Sequence, residues 1–423
     1  MMKILWIYPE LPYPLTSGYL RGFHLLRLLG QRHSVTFLSL TDQKQVSPET
    51  LRALKQYAER ITIFSKCGAP EPSWLRPCGL IPVIGGRLQV SWNTRWAVKQ
   101  MESTVRGLLK REIFDVVLFH GREAIPVLDG VDVPIVVECG DTNSTRLRQQ
   151  MRQARFLSWP RLFFQYARER KLEEQLARKT SYRFFISTRD RENLLGPSDR
   201  SEIVPQGVDY DYWTRNSPPS GTNCIVFSGV MNYPPNIDAA MFLMEKILPL
   251  VRRAIPHLEV LIVGRDPCPE LLLMAQRFSD VTVTGAVDDV RPYLERADVF
   301  VAALRFASGV QNKVLEAMSM EVPVVTTPVV AAGLSVDGVE PQLVVGHNAG
   351  EIAAGIVGLL ADAEERARLS SAGREFVEDH CSWSRSAETL ENLCLAATGH
   401  LSNSYRPDPI ATSSLLVRPN KVS

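Results

Sequence analysis

Short runs of β-branched and aliphatic residues alternate with longer amphipathic stretches along most of the chain, and this alternation constrains the fold more than any other feature. Lys3–Tyr8 (KILWIY) reads as a first buried strand, residues 21–31 as a helix with Phe23, Leu26 and Leu29 on one side, and residues 34–40, 115–119, 134–138 and 183–187 as further strands. Strands separated by helices pair in parallel through right-handed crossovers. The second half repeats the plan, with strands expected at 224–228, 258–263, 281–284, 299–303 and 322–326 and helices at 237–255 and 313–320. The expected fold class is α/β, built from two Rossmann-like, doubly wound parallel-sheet domains. A chain of 423 residues is also too long for one ordinary core. The break falls where Ser217-Pro-Pro-Ser-Gly221 interrupts the pattern. The expected units are 1–215, 222–380, a C-terminal helix over 381–398 crossing back to the first unit, and a polar, Pro-containing tail over 399–423 expected to be disordered.

Composition removes several function classes. Hydrophobic residues at 45% and charged residues at 22% describe a globular protein rather than a disordered one. A formal net charge of +2 argues against a nucleic-acid partner. The seven cysteines are scattered and form no CxxC pair, which fits reduced thiols in the cytoplasm and gives no zinc signature. No run approaches the roughly 18 apolar residues of a membrane span, so membrane contact would be peripheral, at the inner face of the cell membrane.

The chemistry concentrates in Arg305-Phe-Ala-Ser308-Gly309-Val310-Gln-Asn-Lys313-Val-Leu-Glu316-Ala-Met. A strand ends here in a short loop, and a helix begins near Gln311. A helix start offers free N–H groups and positive potential, which suits a diphosphate. Gly309 lets the backbone approach a ligand. Arg305 and Lys313 flank the loop and add charge for phosphate oxygens. Glu316, one turn into the helix, can accept hydrogen bonds from vicinal ribose hydroxyls. Ligands in open α/β sheets bind outside the carboxyl ends of the strands, where this segment lies. A second loop, Pro14-Leu-Thr-Ser-Gly18-Tyr-Leu-Arg21, follows the first strand and can approach a phosphate from the other domain. Gly264-Arg265 and Gly285-Ala-Val end two strands of the second half and are candidates for holding the nucleotide. His120 stands just past a strand end, and Glu138 and Asp141 follow the next strand as candidates for orienting an acceptor hydroxyl.

The 305–316 segment resembles the family-4 glycosyltransferases, retaining enzymes of the GT-B fold, whose two domains face a cleft. Ile203-Val-Pro-Gln-Gly-Val-Asp209, Ile186-Ser-Thr188 with Asp190 and Leu194, and Phe227-Ser-Gly229 are similar to other elements of that family, so the likeness runs to about Trp383. Its wording at Gly-Val-Gln-Asn-Lys-Val-Leu-Glu-Ala-Met is closest to exopolysaccharide-type sugar transferases, including those linked to exosortase systems. The resemblance implies transfer, with retention, from a nucleotide diphosphate-sugar to a glycan or lipid-linked acceptor. It implies a donor site containing Gly18, Gly229, Arg265, Gly285, Arg305, Ser308, Gly309, Val310, Lys313 and Glu316, with His120 against the reacting sugar. Two departures stand out. The first of the family's two glutamates is replaced by Ser308, and its usual Arg and Lys after the opening donor strand are replaced by Val230-Met-Asn-Tyr-Pro-Pro235.

Asp209-Tyr-Asp211 has the Asp-x-Asp spacing of metal-dependent transferases, but it lies in the loop joining the domains with no acidic cluster beside it. No essential metal and no other cofactor is expected. Residues 146–179 mix arginines with Phe156, Trp159, Phe163, Phe164 and Tyr166. That composition suits contact with an anionic membrane, unless the rings pack into the core. The alternatives to a transferase are a nucleotide-sugar epimerase of the same fold and a non-catalytic nucleotide-binding relative.

Overall fold

The computed structural model describes residues 1–13, 20–70, 82–139, 143–153, 158–180, 182–195, 200–219, 221–336 and 338–399. The expected sites Gly18 and Asp141, and the expected tail from 400 onward, lie outside the described residues.

Among the described residues thirteen strands form two sheets, and every strand pair in them is parallel. The first holds β1 (Lys3–Tyr8), β2 (Ser34–Thr41), β3 (Arg60–Ser65), β4 (Val116–His120), β5 (Ile135–Glu138), β6 (Tyr182–Phe185) and β7 (Ser201–Ile203), in the order β3-β2-β1-β4-β5-β6-β7. The second holds β8 (Cys224–Ser228), β9 (Glu259–Val263), β10 (Val281–Val283), β11 (Val299–Ala302), β12 (Val324–Thr326) and β13 (Val344–Val345), in the order β10-β9-β8-β11-β12-β13. These are the two Rossmann-like sheets expected from the sequence. In each, the winding reverses beside the first strand, between β1 and β4 and between β8 and β11. A crevice opens at such a point because the flanking crossovers run to opposite faces. Each sheet is covered on both faces, so its strands are nearly continuous apolar runs: Ile4 and Trp6 point into one core, Leu5 and Ile7 into another.

The expected helix 237–255 starts earlier and is not uniform. Pro234 and Pro235 occupy the first positions of the helix Pro234–Phe242, where a missing N–H costs nothing. Pro249 has no N–H to return to the preceding turn, and the ladder widens to a π turn at Leu243–Ile247 just before it. The helix Trp383–Ala397 is N-capped by Ser382, whose side chain accepts from the Arg385 N–H. It buries Ala387, Leu390 and Leu393 against the first sheet's core. Two chain passages lie side by side where it sets off: the Val208 N–H donates to the Cys381 carbonyl at 2.7 Å.

The described residues of the 146–179 stretch fall mainly in two helices, Asn143–Gln153 and Trp159–Arg178, packed on each other, and Phe156 lies outside the described residues. The alternative that the aromatic residues enter the core does not hold for three of them: Trp159, Phe163 and Phe164 are exposed at 45%, 47% and 79%. Among the described residues no helix is long and apolar enough to cross a membrane.

Candidate active site

One cleft of about 2180 Å³ runs past both reversal points. That exceeds the roughly 300–1,000 Å³ of a site for one small molecule, so two substrates can occupy it together. The first sheet contributes Tyr8, His120 and Glu138 to its lining, the second Gly229, Lys313 and Glu316.

On the second sheet's side, the helix Asn312–Ser319 begins at Gln311, which makes no side-chain capping bond. The positive end of the helix is therefore open to an anion. Lys313 and Glu316 stand on its first turns and both line the cleft. Burial lowers the Lys313 ammonium to about 7, with Glu316 opposing the shift. Burial likewise raises the Glu316 carboxyl to about 7, with Lys313 opposing. The Lys313 ammonium donates to Asn236 Oδ1 and lies 5.0 Å from the centre of the Phe227 ring. Asn236 Nδ2 in turn donates to the Val230 carbonyl at 2.9 Å. Gly229 makes this arrangement possible. A Cβ there would sit 2.6 Å from Asn236 Nδ2 and 2.8 Å from Lys313 Nζ, on a backbone with φ of 155°. Gly229→Ala is expected to displace the ammonium while leaving the sheet intact, since a lysine tip can swing aside. The loss of one charge-assisted contact should weaken nucleoside-diphosphate binding about tenfold or more. Calorimetric titration checks this, and unchanged affinity would show that the ammonium is not a phosphate ligand.

On the first sheet's side, Glu138 is 3% exposed at the end of β5. Its Oε1 accepts from Arg21 Nε at 2.5 Å and its Oε2 lies 2.8 Å from His120 Nδ1. Burial alone would raise this carboxyl, but the Arg21 guanidinium and His120 together hold it at about 2. His120 stacks on Tyr8 with ring centres 4.8 Å apart. Burial pushes the Tyr8 hydroxyl well above the usual phenol range. Arg21 also donates to the Pro205 and Val204 carbonyls at 2.8 and 2.9 Å, tying the loop that leaves this sheet to the same carboxylate.

The structure thus brings His120, Glu138, Gly229, Arg265, Val310, Lys313 and Glu316 to one cleft. Other expected site residues fall elsewhere. Arg305 does not line the cleft: its guanidinium pairs with Asp238 and lies over the Phe242 ring. Gly285 also lies off the lining, although its neighbours Ala286 and Val287 are part of it. Ser308 is buried at 5% and Gly309 has φ of 60°, and neither reaches the cleft surface. The Gly309 carbonyl instead accepts from Arg189 Nη2 at 3.1 Å, across from the first sheet. Glu138 reaches the cleft with one oxygen on Arg21 and the other 2.8 Å from His120 Nδ1. Asp209 Oδ1 accepts from the Tyr212 N–H at 3.2 Å, a local turn. Among the described residues no group of three or more His, Cys, Asp or Glu could hold a metal.

Sequence reasoning missed Arg21, Asn236, Tyr8 and His24. Arg21 closes the Gly18 loop motif singled out in the sequence and is buried at the start of the first helix. His24 stacks on Trp383 with ring centres 4.7 Å apart, and burial, then Arg27, lowers it to about 4.

Residues 222–362 match the family described as glycosyl transferases group 1. The matched residues span all of the second sheet and the Lys313–Glu316 helix. Most of the chain also superposes on solved structures. With Anabaena Alr3699/HepE in complex with UDP the TM-score is 0.63 at 14% identity, covering 93% of this chain and 100% of the other. A glycosyltransferase from Rickettsia africae gives 0.63 at 12% identity, covering 94% and 98%. WaaG, a glycosyltransferase involved in lipopolysaccharide biosynthesis, gives 0.60 at 13% identity, covering 94% and 100%. No curated protein sequence matches. The architecture is that of GT-B glycosyltransferases, with two parallel-sheet Rossmann-like domains.

Proposed function

We propose that the protein is a glycosyltransferase that moves a sugar from a nucleotide diphosphate-sugar to a hydroxyl of a glycan or lipid-linked acceptor, with retention, in polysaccharide or glycoconjugate biosynthesis. The observation that carries this reading is the Lys313–Glu316 pair at an uncapped helix start within the matched residues 222–362, lining the same cleft as His120. The ammonium and the helix end take the diphosphate and stabilise it as it departs. Glu316 takes the ribose hydroxyls. His120, held by Glu138, touches the sugar. Bound UDP in the Anabaena structure supports a nucleotide in this fold. In this reading the protein works in the cytoplasm, at the inner face of the cell membrane when the acceptor is lipid-linked.

The test is a panel of nucleotide-sugars with lipid-linked and oligosaccharide acceptors, with product analysis by NMR for anomeric configuration. Glu316→Ala is expected to weaken nucleotide binding about 10- to 100-fold, the worth of hydrogen bonds to a charged group. Transfer that persists unchanged in Glu316→Ala and Lys313→Ala overturns the site. Epimerised sugar from donor alone, or nucleotide binding without transfer to any acceptor, would favour the epimerase or the non-catalytic relative.

A further inference from the structure

The helix Trp159–Arg178 has a charge distribution that the cleft chemistry does not account for. Its acidic residues are engaged within the fold: Glu169 Oε2 accepts from Arg122 Nη1 at 2.6 Å, Glu173 accepts from the Ser144 N–H at 3.1 Å, and Glu174 Oε1 accepts from Arg170 Nε at 2.9 Å. Glu173 is buried at 2%. Arg161, Arg168 and Lys171 face outward, as do Arg148 and Arg152 on the preceding helix. The outer surface of this pair of helices is therefore cationic, although the chain as a whole is nearly neutral.

Large rings stand on the same surface. Trp159 and Phe163, one turn apart, stack at 5.7 Å with planes 7° from parallel, and Phe164 beside them is 79% exposed. Three exposed rings on two turns cost solvation that a soluble surface gains nothing from. Rings that reach into the acyl boundary while arginines meet headgroup phosphates resolve both features at once. The helix also turns into the cleft, since Phe164, Arg168, Lys171 and Leu172 are among its lining.

We propose that the first two turns of Trp159–Arg178 form a docking surface for an anionic lipid bilayer, which sets the mouth of the cleft against the headgroups. The surface stands on its own geometry and goes beyond the transferase reading. Where that reading also holds, the acceptor reaches the cleft from the membrane along Phe164, Arg168 and Lys171.

The experiment is co-sedimentation of the full chain with phosphatidylglycerol/phosphatidylcholine vesicles and with phosphatidylcholine vesicles, across salt concentrations. Binding is expected to be about tenfold or more tighter to the anionic vesicles and to weaken with salt. Trp159→Glu/Phe163→Glu is expected to lower vesicle affinity about tenfold or more, because two rings leave the acyl boundary and two charges enter it. Both positions lie off the cleft lining, so the variant's thermal midpoint and nucleotide affinity should stay at wild-type values. Absent or equal binding to the two vesicle types overturns the proposal, as does a folded double variant that binds like wild type. Binding to heparin or RNA without binding to anionic vesicles overturns it in favour of a soluble polyanion. A wild-type chain that binds vesicles but no nucleotide would leave the docking surface standing and remove the transferase reading.

Discussion

Glu138→Ala is expected to lower the stability of the chain by about 3–5 kcal/mol, the cost of breaking a buried ion pair from one side. The reason is the partner left behind. The Arg21 side chain is 8% exposed and sits under β5 with its Nε aimed at this carboxylate. Without it, Arg21 retains two carbonyls of the 204–205 passage and the face of the Phe184 ring, and none of these carries a full charge. A denaturant midpoint with an unchanged slope would read the loss directly. Glu138→Gln separates folding from chemistry. The amide keeps the shape and one acceptor for Arg21, but it removes the negative charge that lies beside His120 Nδ1. A chain that remains folded and transfers sugar about 100-fold more slowly is the expected result, since a displaced imidazole costs that much in a site built on alignment. Glu138 is then a positioning residue. Transfer at the wild-type rate in a folded Gln variant would mean that His120 needs no such partner. The pH dependence has a definite sign. Glu138 titrates at about 2 in the folded chain, against 4.5 for a free side chain. Its stabilisation is thus complete above the unfolded value and is lost as pH falls from about 4.5 toward 2.

Most of the sheet framework was legible in the sequence, and the gaps have a common cause. Every strand buried on both sides announced itself as an apolar run, β1 to the residue. The unrecognised strands β3, β7 and β13 lie at sheet edges. Arg60–Ser65 carries the β-branched and aromatic run Ile61–Phe64 but is only half-buried along most of its length, and Val344–Val345 has only two residues. The site shows the same division. Lys313 and Glu316 were readable because a helix start and a three-residue spacing are local. Arg305 looked equally local, but its charge is used by Asp238, 67 residues away in sequence. Arg21 was passed over because its partners are 117 and 183–184 residues distant. Asn236 follows the segment that replaces the usual cations, and only the fold reveals that it holds Lys313. Spacing reports which groups can share a turn, and pairing across the sheet decides which of them stay available.

Nucleotide affinity is expected to fall as pH rises above about 7, by up to tenfold per unit. Lys313 titrates near 7 in the empty cleft because burial disfavours its charge. A diphosphate binds the charged form, so above that value binding must take up a proton, and affinity drops until the bound ammonium itself deprotonates. Calorimetry in buffers of different ionisation enthalpy would register that proton. Glu316 gives the opposite trend. Its carboxyl titrates near 7, raised by burial, and ribose hydroxyls donate best to the ionised form. A nucleoside without phosphates should therefore bind more tightly as pH rises toward about 7 and level off above it, where its diphosphate begins to bind more weakly. Stability of the empty chain follows from the same two shifts. Between 4.5 and about 7 the folded state holds more protons through Glu316, so stability falls with pH. Between about 7 and 10.5 the unfolded state holds more through Lys313, so stability rises. The empty protein should have a local minimum of stability near neutrality, filled in by bound diphosphate and flattened in the Lys313→Met/Glu316→Gln double variant. A diphosphate affinity that stays level from pH 6.5 to 9, with no proton taken up, would show that Lys313 meets the ligand already charged and that the helix end, rather than the lysine, carries the phosphate.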